Sequence, residues 1–202
     1  MRATLQARPA LVVVDAQDGF DDPSWGPTNN ADCDDNISQL VSGWVGRGLP
    51  LVYVRHDSVL PDSPLHPSRP GNRLRGYLRA TPDLLVAKSV NSSFHGSPDL
   101  QAWLSGEGIA GIVVCGITTN HCCETTARVG GNLGYDVLFA IDATRTFDRT
   151  GPDGTLLTAD ELGRATATNL HGEFAEVVTT ARLLEALDGL GTEELAASPD
   201  DE

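Results

Sequence analysis

The constraint with the longest reach on this chain is an alternation. Short aliphatic and β-branched runs recur along it: ALVVVD (10–15), PLVYVR (50–55), DLLVAK (83–88), GIVVCG (111–116), DVLFAID (136–142) and AEVVTT (175–180), with longer mixed stretches between them. A strand that reads as an unbroken apolar run is buried on both faces, so something must cover each face. The intervening stretches carry helix ends. SPDLQAWLSGEG has Ser97 placed as N-cap and Pro98 as first helical residue, TADELGRATATNLHGEF has Thr158 and Glu161 spaced as a capping box, and 32–48 closes in GRG. Strand and helix alternating in this way predict an α/β fold, a three-layer αβα sandwich with a mostly parallel sheet of about six strands. With 202 residues, 40% of them hydrophobic, the chain fits one domain over 1–190, followed by a polar, acidic tail at 191–202 that is expected to fray.

Charge narrows the partners. A formal net charge of -14 opposes nucleic-acid binding, which needs clustered Lys and Arg on phosphates. The charge serves solubility, and the acidic run DAQDGFDD (15–22) also suits the mouth of a site for a cationic small molecule. No apolar stretch reaches the roughly 18 to 20 residues of a membrane span. The opening MRATLQARPALVVVDAQ passes from a short strand straight into acid, unlike a signal peptide. Four cysteines, two of them adjacent, suit reduced thiols in a cytoplasm and lack paired zinc spacing. No GxGxxG follows a strand, which gives a dinucleotide site little support, and no cofactor is expected.

In a parallel sheet, sites lie beyond the C-terminal strand ends. The residues there are Asp15, Lys88 and the turn CGITTNHCC, which puts an acid, an amine and a thiol on one rim. Of the 14 lysines and arginines, Lys88 is the only lysine. A compact ammonium fits between acid and thiol in a dry pocket, where a forked guanidinium does not. Asp15 can stay ionised beside it and still take a thiol proton. Cys115 reads as core, and Cys33 lies among acids that disfavour a thiolate. Cys122 and Cys123 begin the next helix, where free N–H groups lower a thiol pKa. Spacing alone leaves both open. Two long loops, 56–80 and 143–157, are placed to cover the rim.

The segment GITTNHCCETTAR (116–128) resembles the nucleophile motif of the isochorismatase-like cysteine hydrolases, a superfamily that includes nicotinamidase, N-carbamoylsarcosine amidase and streptothricin hydrolase. VVVDAQDGF is similar to the family's opening strand and VAKSVNSSF to its lysine segment. The resemblance implies Cys122 as nucleophile, Cys123 packed inward, Asp15 as general base and Lys88 as the cation holding both. It also implies a cis peptide between Ile117 and Thr118, an oxyanion hole from the N–H groups of Thr118 and Cys122, and a homo-oligomer, dimer or tetramer. Gln17, Phe20, Trp25, Phe94, Ile117, His121 and Phe147 are candidates for the substrate pocket, the aromatic ones as apolar walls.

Departures from the family narrow the chemistry. Where nicotinamidases carry the Asp and His of a metal site, this chain has His56 and Ser58, so no metal is expected and nicotinamidase is disfavoured. The vinyl ether hydrolases of the family tend to lack the cysteine. The reading is therefore a cofactor-independent hydrolase of an amide, lactam or ureido C–N bond, working through a thioester. Alternatives are an ether or ester hydrolase, a thiol redox sensor using Cys122 and Cys123, and a catalytically silent binding protein.

Overall fold

The computed structural model describes residues 8–196. All six apolar runs form strands. In chain order these elements are β1 (Ala10–Val14), α1 (Cys33–Val45), β2 (Leu51–His56), β3 (Leu84–Lys88), α2 (Leu100–Gly106), β4 (Gly111–Ile117), α3 (Glu124–Asn132), β5 (Asp136–Arg145), β6 (Arg149–Thr150), β7 (Leu156–Leu157), α4 (Ala159–Leu170), β8 (Glu176–Val178) and α5 (Thr180–Ala196). The main sheet runs β3-β2-β1-β4-β5-β8, parallel throughout, and β6 and β7 make a separate hairpin.

Period-two alternation along β1 divides the core. Leu11 and Val13 pack with Ile37, Trp44 and Leu183 of α1 and α5, whereas Val12 and Val14 pack with Leu104, Ala127 and Leu170 of α2, α3 and α4. Helices therefore cover both faces, as unbroken apolar strands require. No helix among the described residues is long and apolar enough to cross a membrane.

Strand order reverses at β1, which pairs with β2 on one side and β4 on the other. That reversal opens a crevice beyond the strand ends. Gly116 makes it narrow. It lies opposite Val14 with φ +126°, and a Cβ there would stand 1.9 Å from the Val14 carbonyl oxygen. Only glycine adopts this backbone so close to a neighbour. Gly116→Ala is expected to lower stability by more than about 4 kcal/mol, since clash and left-handed strain add. Urea unfolding measures this, and a loss under 1 kcal/mol would refute the close approach.

Two expectations need correction. Helix α2 is capped by Asp99, whose side chain accepts from the Ala102 N–H at 3.0 Å. Ser97 does not cap it, because its backbone makes two 2.9 Å bonds with Ala87 and so extends the edge of β3. The segment 143–157 is partly ordered as the end of β5 and the β6–β7 hairpin. Helix α5 extends to Ala196, and 197–202 of the expected tail lie outside the described residues. The capping box at α4 is present, with Thr158 and Glu161 bonding each other's backbone.

Candidate functional site

Three strand ends deliver the polar side chains to the crevice. Asp15 follows β1 in a left-handed conformation (φ +50°), which its short polar side chain tolerates, with its N–H held by the Val54 carbonyl at 2.9 Å. Lys88 closes β3 and lies beside His56, the last residue of β2, in parallel register. Cys122 comes from one wide turn, Thr119–Cys123, inserted between β4 and α3, and the Ile117–Thr118 peptide before it is cis. Wide turns of this kind re-aim side chains and collect at functional sites.

The ammonium of Lys88 is the centre of the arrangement. Its Nζ donates to Asp15 Oδ2 at 2.6 Å and to Cys122 Sγ at 3.4 Å, and lies 3.2 Å from His56 Nδ1. The side chains of Lys88 and Asp15 are fully buried, and Cys122 is 7% exposed. Asp15 Oδ1 has no hydrogen-bond partner, and the carboxylate lies within 4.8 Å of the sulfur. A buried carboxylate oxygen left unpaired is costly, and it is a ready acceptor for a proton.

Electrostatics set the resting protonation. Burial pushes the Cys122 thiol well up, the Asp15 charge adds to that, and Lys88 pulls it only part of the way back. The sequence-based expectation of a lowered thiol pKa is thus overturned: removal from water outweighs the helix start. For Lys88, burial pulls down, but Asp15 and Cys122 more than offset it, so the amine is raised and stays charged. The site at rest therefore holds a protonated thiol beside an ion pair.

The remaining candidates divide. A cavity of about 260 Å³ adjoins Thr118 and His121, with Trp25 and Phe147 as its aromatic walls and Thr146 and Arg149 on its polar side. Phe20 and Ile117 pack behind those rings, Phe20 at 5.0 Å from Trp25 and 6.1 Å from Phe147. His121 is kept neutral by burial and by the Arg149 charge. Two further candidates, Gln17 and Phe94, do not line this cavity. Gln17 is fully buried with both ends of its amide engaged by His56 and Asn72 backbone, and Phe94 stacks on Tyr135 at 5.7 Å against the α3 side of the core. Cys123, Cys115 and Cys33 are wholly buried, and burial pushes the Cys33 thiol up to about 12.

Donor atoms of Asp15, His56 and Cys122 lie within 4.8 Å of one another, close enough to share a metal ion. They do not fit one, because the Lys88 ammonium stands within 3.4 Å of all three and would repel a second cation. His56 itself was not read as part of the site. Asn91, whose Oδ1 lies 4.0 Å from the sulfur, was also missed.

Among the described residues, acids of the run 15–22 lie close to arginines. Asp18 pairs with Arg73, Asp21 pairs with Arg75 at 2.8 Å and Arg145 at 3.5 Å, and Asp22 accepts from the Ser24 N–H. Asp34 joins the network through Arg75, Arg145 and the Tyr77 hydroxyl. These pairs tie the loop after β1, the 56–80 loop and the end of β5 to α1.

The isochorismatase domain model matches residues 9–182. The isochorismatase family protein YrdC of Bacillus subtilis is 35% identical over 89% of this chain and 96% of its own. A crystal structure of an isochorismatase-family protein from Chromobacterium violaceum superposes with a TM-score of 0.87 at 38% identity, covering 94% of this chain and all of the other. That of a cysteine hydrolase from Pseudomonas syringae pv. phaseolicola gives 0.83 at 27% identity, over 94% and 97%.

Proposed function

We propose, from the premise that this chain belongs to the isochorismatase family of hydrolases, that it is a cysteine-dependent amidohydrolase cleaving a C–N bond of a small molecule. The observation that carries this reading is the single buried ammonium bonded to both a carboxylate and a sulfur. In the proposed cycle Asp15 takes the Cys122 proton, and Lys88 balances the carboxylate before the transfer and the thiolate after it. The thiolate attacks the carbonyl carbon of a substrate seated in the cavity beside Thr118 and His121. The N–H groups of Thr118 and Cys122 receive the developing oxyanion, a type of contact worth roughly 3 to 4 kcal/mol of barrier. Asp15 then returns its proton to the leaving nitrogen, and water attacks the thioester.

A raised thiol pKa supports this order of events. A thiol that stays protonated until the substrate arrives needs a base within reach, and Asp15 offers an unpaired oxygen. The test is intact mass spectrometry of the quenched enzyme with a mixed amide library, run beside an assay for released ammonia or amine. Wild type is expected to show an acyl adduct on Cys122 and one amine per turnover, and Asp15→Asn neither. Turnover that persists after Cys122 is alkylated would overturn the reading, as would products without amine.

A further inference from the structure

His56 lies outside the proposed relay, yet its Nδ1 is 3.2 Å from Lys88 Nζ. An ammonium carries three N–H donors, and in a dry site each needs an acceptor. Lys88 has three candidates: Asp15 Oδ2, Cys122 Sγ and His56 Nδ1. We propose that His56 is a positioning residue that holds the third proton of the Lys88 ammonium and so keeps it shared between Asp15 and Cys122.

The bonds around His56 fit that task. Gln17 fixes its backbone from both sides, donating to the His56 carbonyl at 3.1 Å and accepting from its N–H at 2.8 Å. Asn72 donates to the same carbonyl at 3.1 Å and to Asp57 Oδ1 at 2.9 Å. Two buried amides thus fix the backbone from which the imidazole projects, and they are tied in turn to each other and to the Leu65 carbonyl. To accept from an ammonium, Nδ1 must be bare and the proton must sit on Nε2. Burial and the Lys88 charge hold the ring neutral, against the weaker pull of Asp15 and Asp57.

His56 is not a second base, because its Nδ1 lone pair is already committed to Lys88. Its effect runs through the ammonium. With two acceptors left, the resting ammonium is drawn toward the charged Asp15 carboxylate at 2.6 Å and away from the sulfur, so it is less well placed to balance the thiolate as the proton moves. Such a loss acts on the bond-making step and leaves substrate affinity in the adjoining cavity alone.

This inference rests on the proposed role of Lys88, and the experiment separates the two. Cys122 carboxamidomethylation by iodoacetamide reports thiolate formation without any substrate, and peptide mapping assigns the site. His56→Phe removes the acceptor, whereas His56→Asn places an amide oxygen near the Nδ1 position. His56→Phe is expected to slow alkylation of Cys122 about ten-fold or more, the worth of one hydrogen bond to a charged group. His56→Asn is expected to stay within about three-fold of wild type by the same measure. Once a substrate is in hand, kcat should follow the same pattern with KM unchanged. Equal rates in wild type and both variants would overturn the anchor, and so would an equal fall in both variants. A Lys88→Met variant that alkylates as fast as wild type would refute the relay itself. A rate that depends on Lys88 but ignores His56 would refute only the anchor.

Discussion

Cys122→Ser is expected to lower kcat by roughly 10⁴- to 10⁶-fold while leaving the fold intact, by analogy with removal of the nucleophile from other covalent hydrolases. Size does not explain such a loss, since a hydroxyl fits where the sulfur fits. What changes is the acid. In the proposed cycle Asp15 has a thiol to deprotonate, and a serine hydroxyl in its place is a far weaker acid under the same carboxylate. Stability is expected to move by less than about 1 kcal/mol, because serine can still accept from Lys88 in place of the 3.4 Å contact to sulfur. Steady-state rates on the amide identified by adduct formation, together with urea unfolding, check both halves. If the variant keeps a tenth of the activity, the sulfur is not the nucleophile.

Much of this site was legible in the sequence because a parallel sheet converts strand ends into neighbours. Asp15, Lys88 and the turn carrying Cys122 each follow an apolar run, and the order β3-β2-β1-β4 brings those ends to one crevice. His56 escaped the same rule by one residue, since the second apolar run was read as ending at Arg55 and β2 ends at His56, beside Lys88. Gln17 and Phe94 lie away from the cavity beside His121 for a different reason. Chain proximity to Asp15 and Lys88 says which end of the sheet they occupy but not which way they point; one turns to the 56–80 loop and the other to α3. The arginine network was hidden for want of any local signal. Arg75 and Arg145 meet Asp21 and Asp34 across separations no periodicity reveals, so one acid of the run 15–22 is held in an ion-pair network. The thiol was misjudged because a helix start is visible in the sequence, whereas the depth of burial is not.

Lys88→Met is expected to cost about 3 to 5 kcal/mol and to abolish detectable turnover, the largest combined effect of any change at the site. Methionine fills a similar volume, so no large cavity is left. The loss arises from Asp15, which is wholly buried with Oδ1 already unpaired and whose Oδ2 depends on the 2.6 Å bond to Lys88. Breaking a buried pair from one side strands the other charge, and a dry site makes that charge expensive. Removing the charge as well should restore most of the stability. Lys88→Met with Asp15→Asn is expected to unfold within about 2 kcal/mol of wild type, giving a coupling energy well above the few tenths of a kcal/mol found for independent sites. Activity stays absent in the double variant, which separates folding from chemistry. Lys88→Arg completes the set: it keeps the charge but brings a planar fork into a cage whose acceptors lie 2.6, 3.2 and 3.4 Å from a single nitrogen. It should therefore fail in catalysis while destabilising less than Lys88→Met. Full activity in Lys88→Arg, or a cycle in which the two single losses simply add, would show that the ammonium is neither shaped to this site nor coupled to its carboxylate.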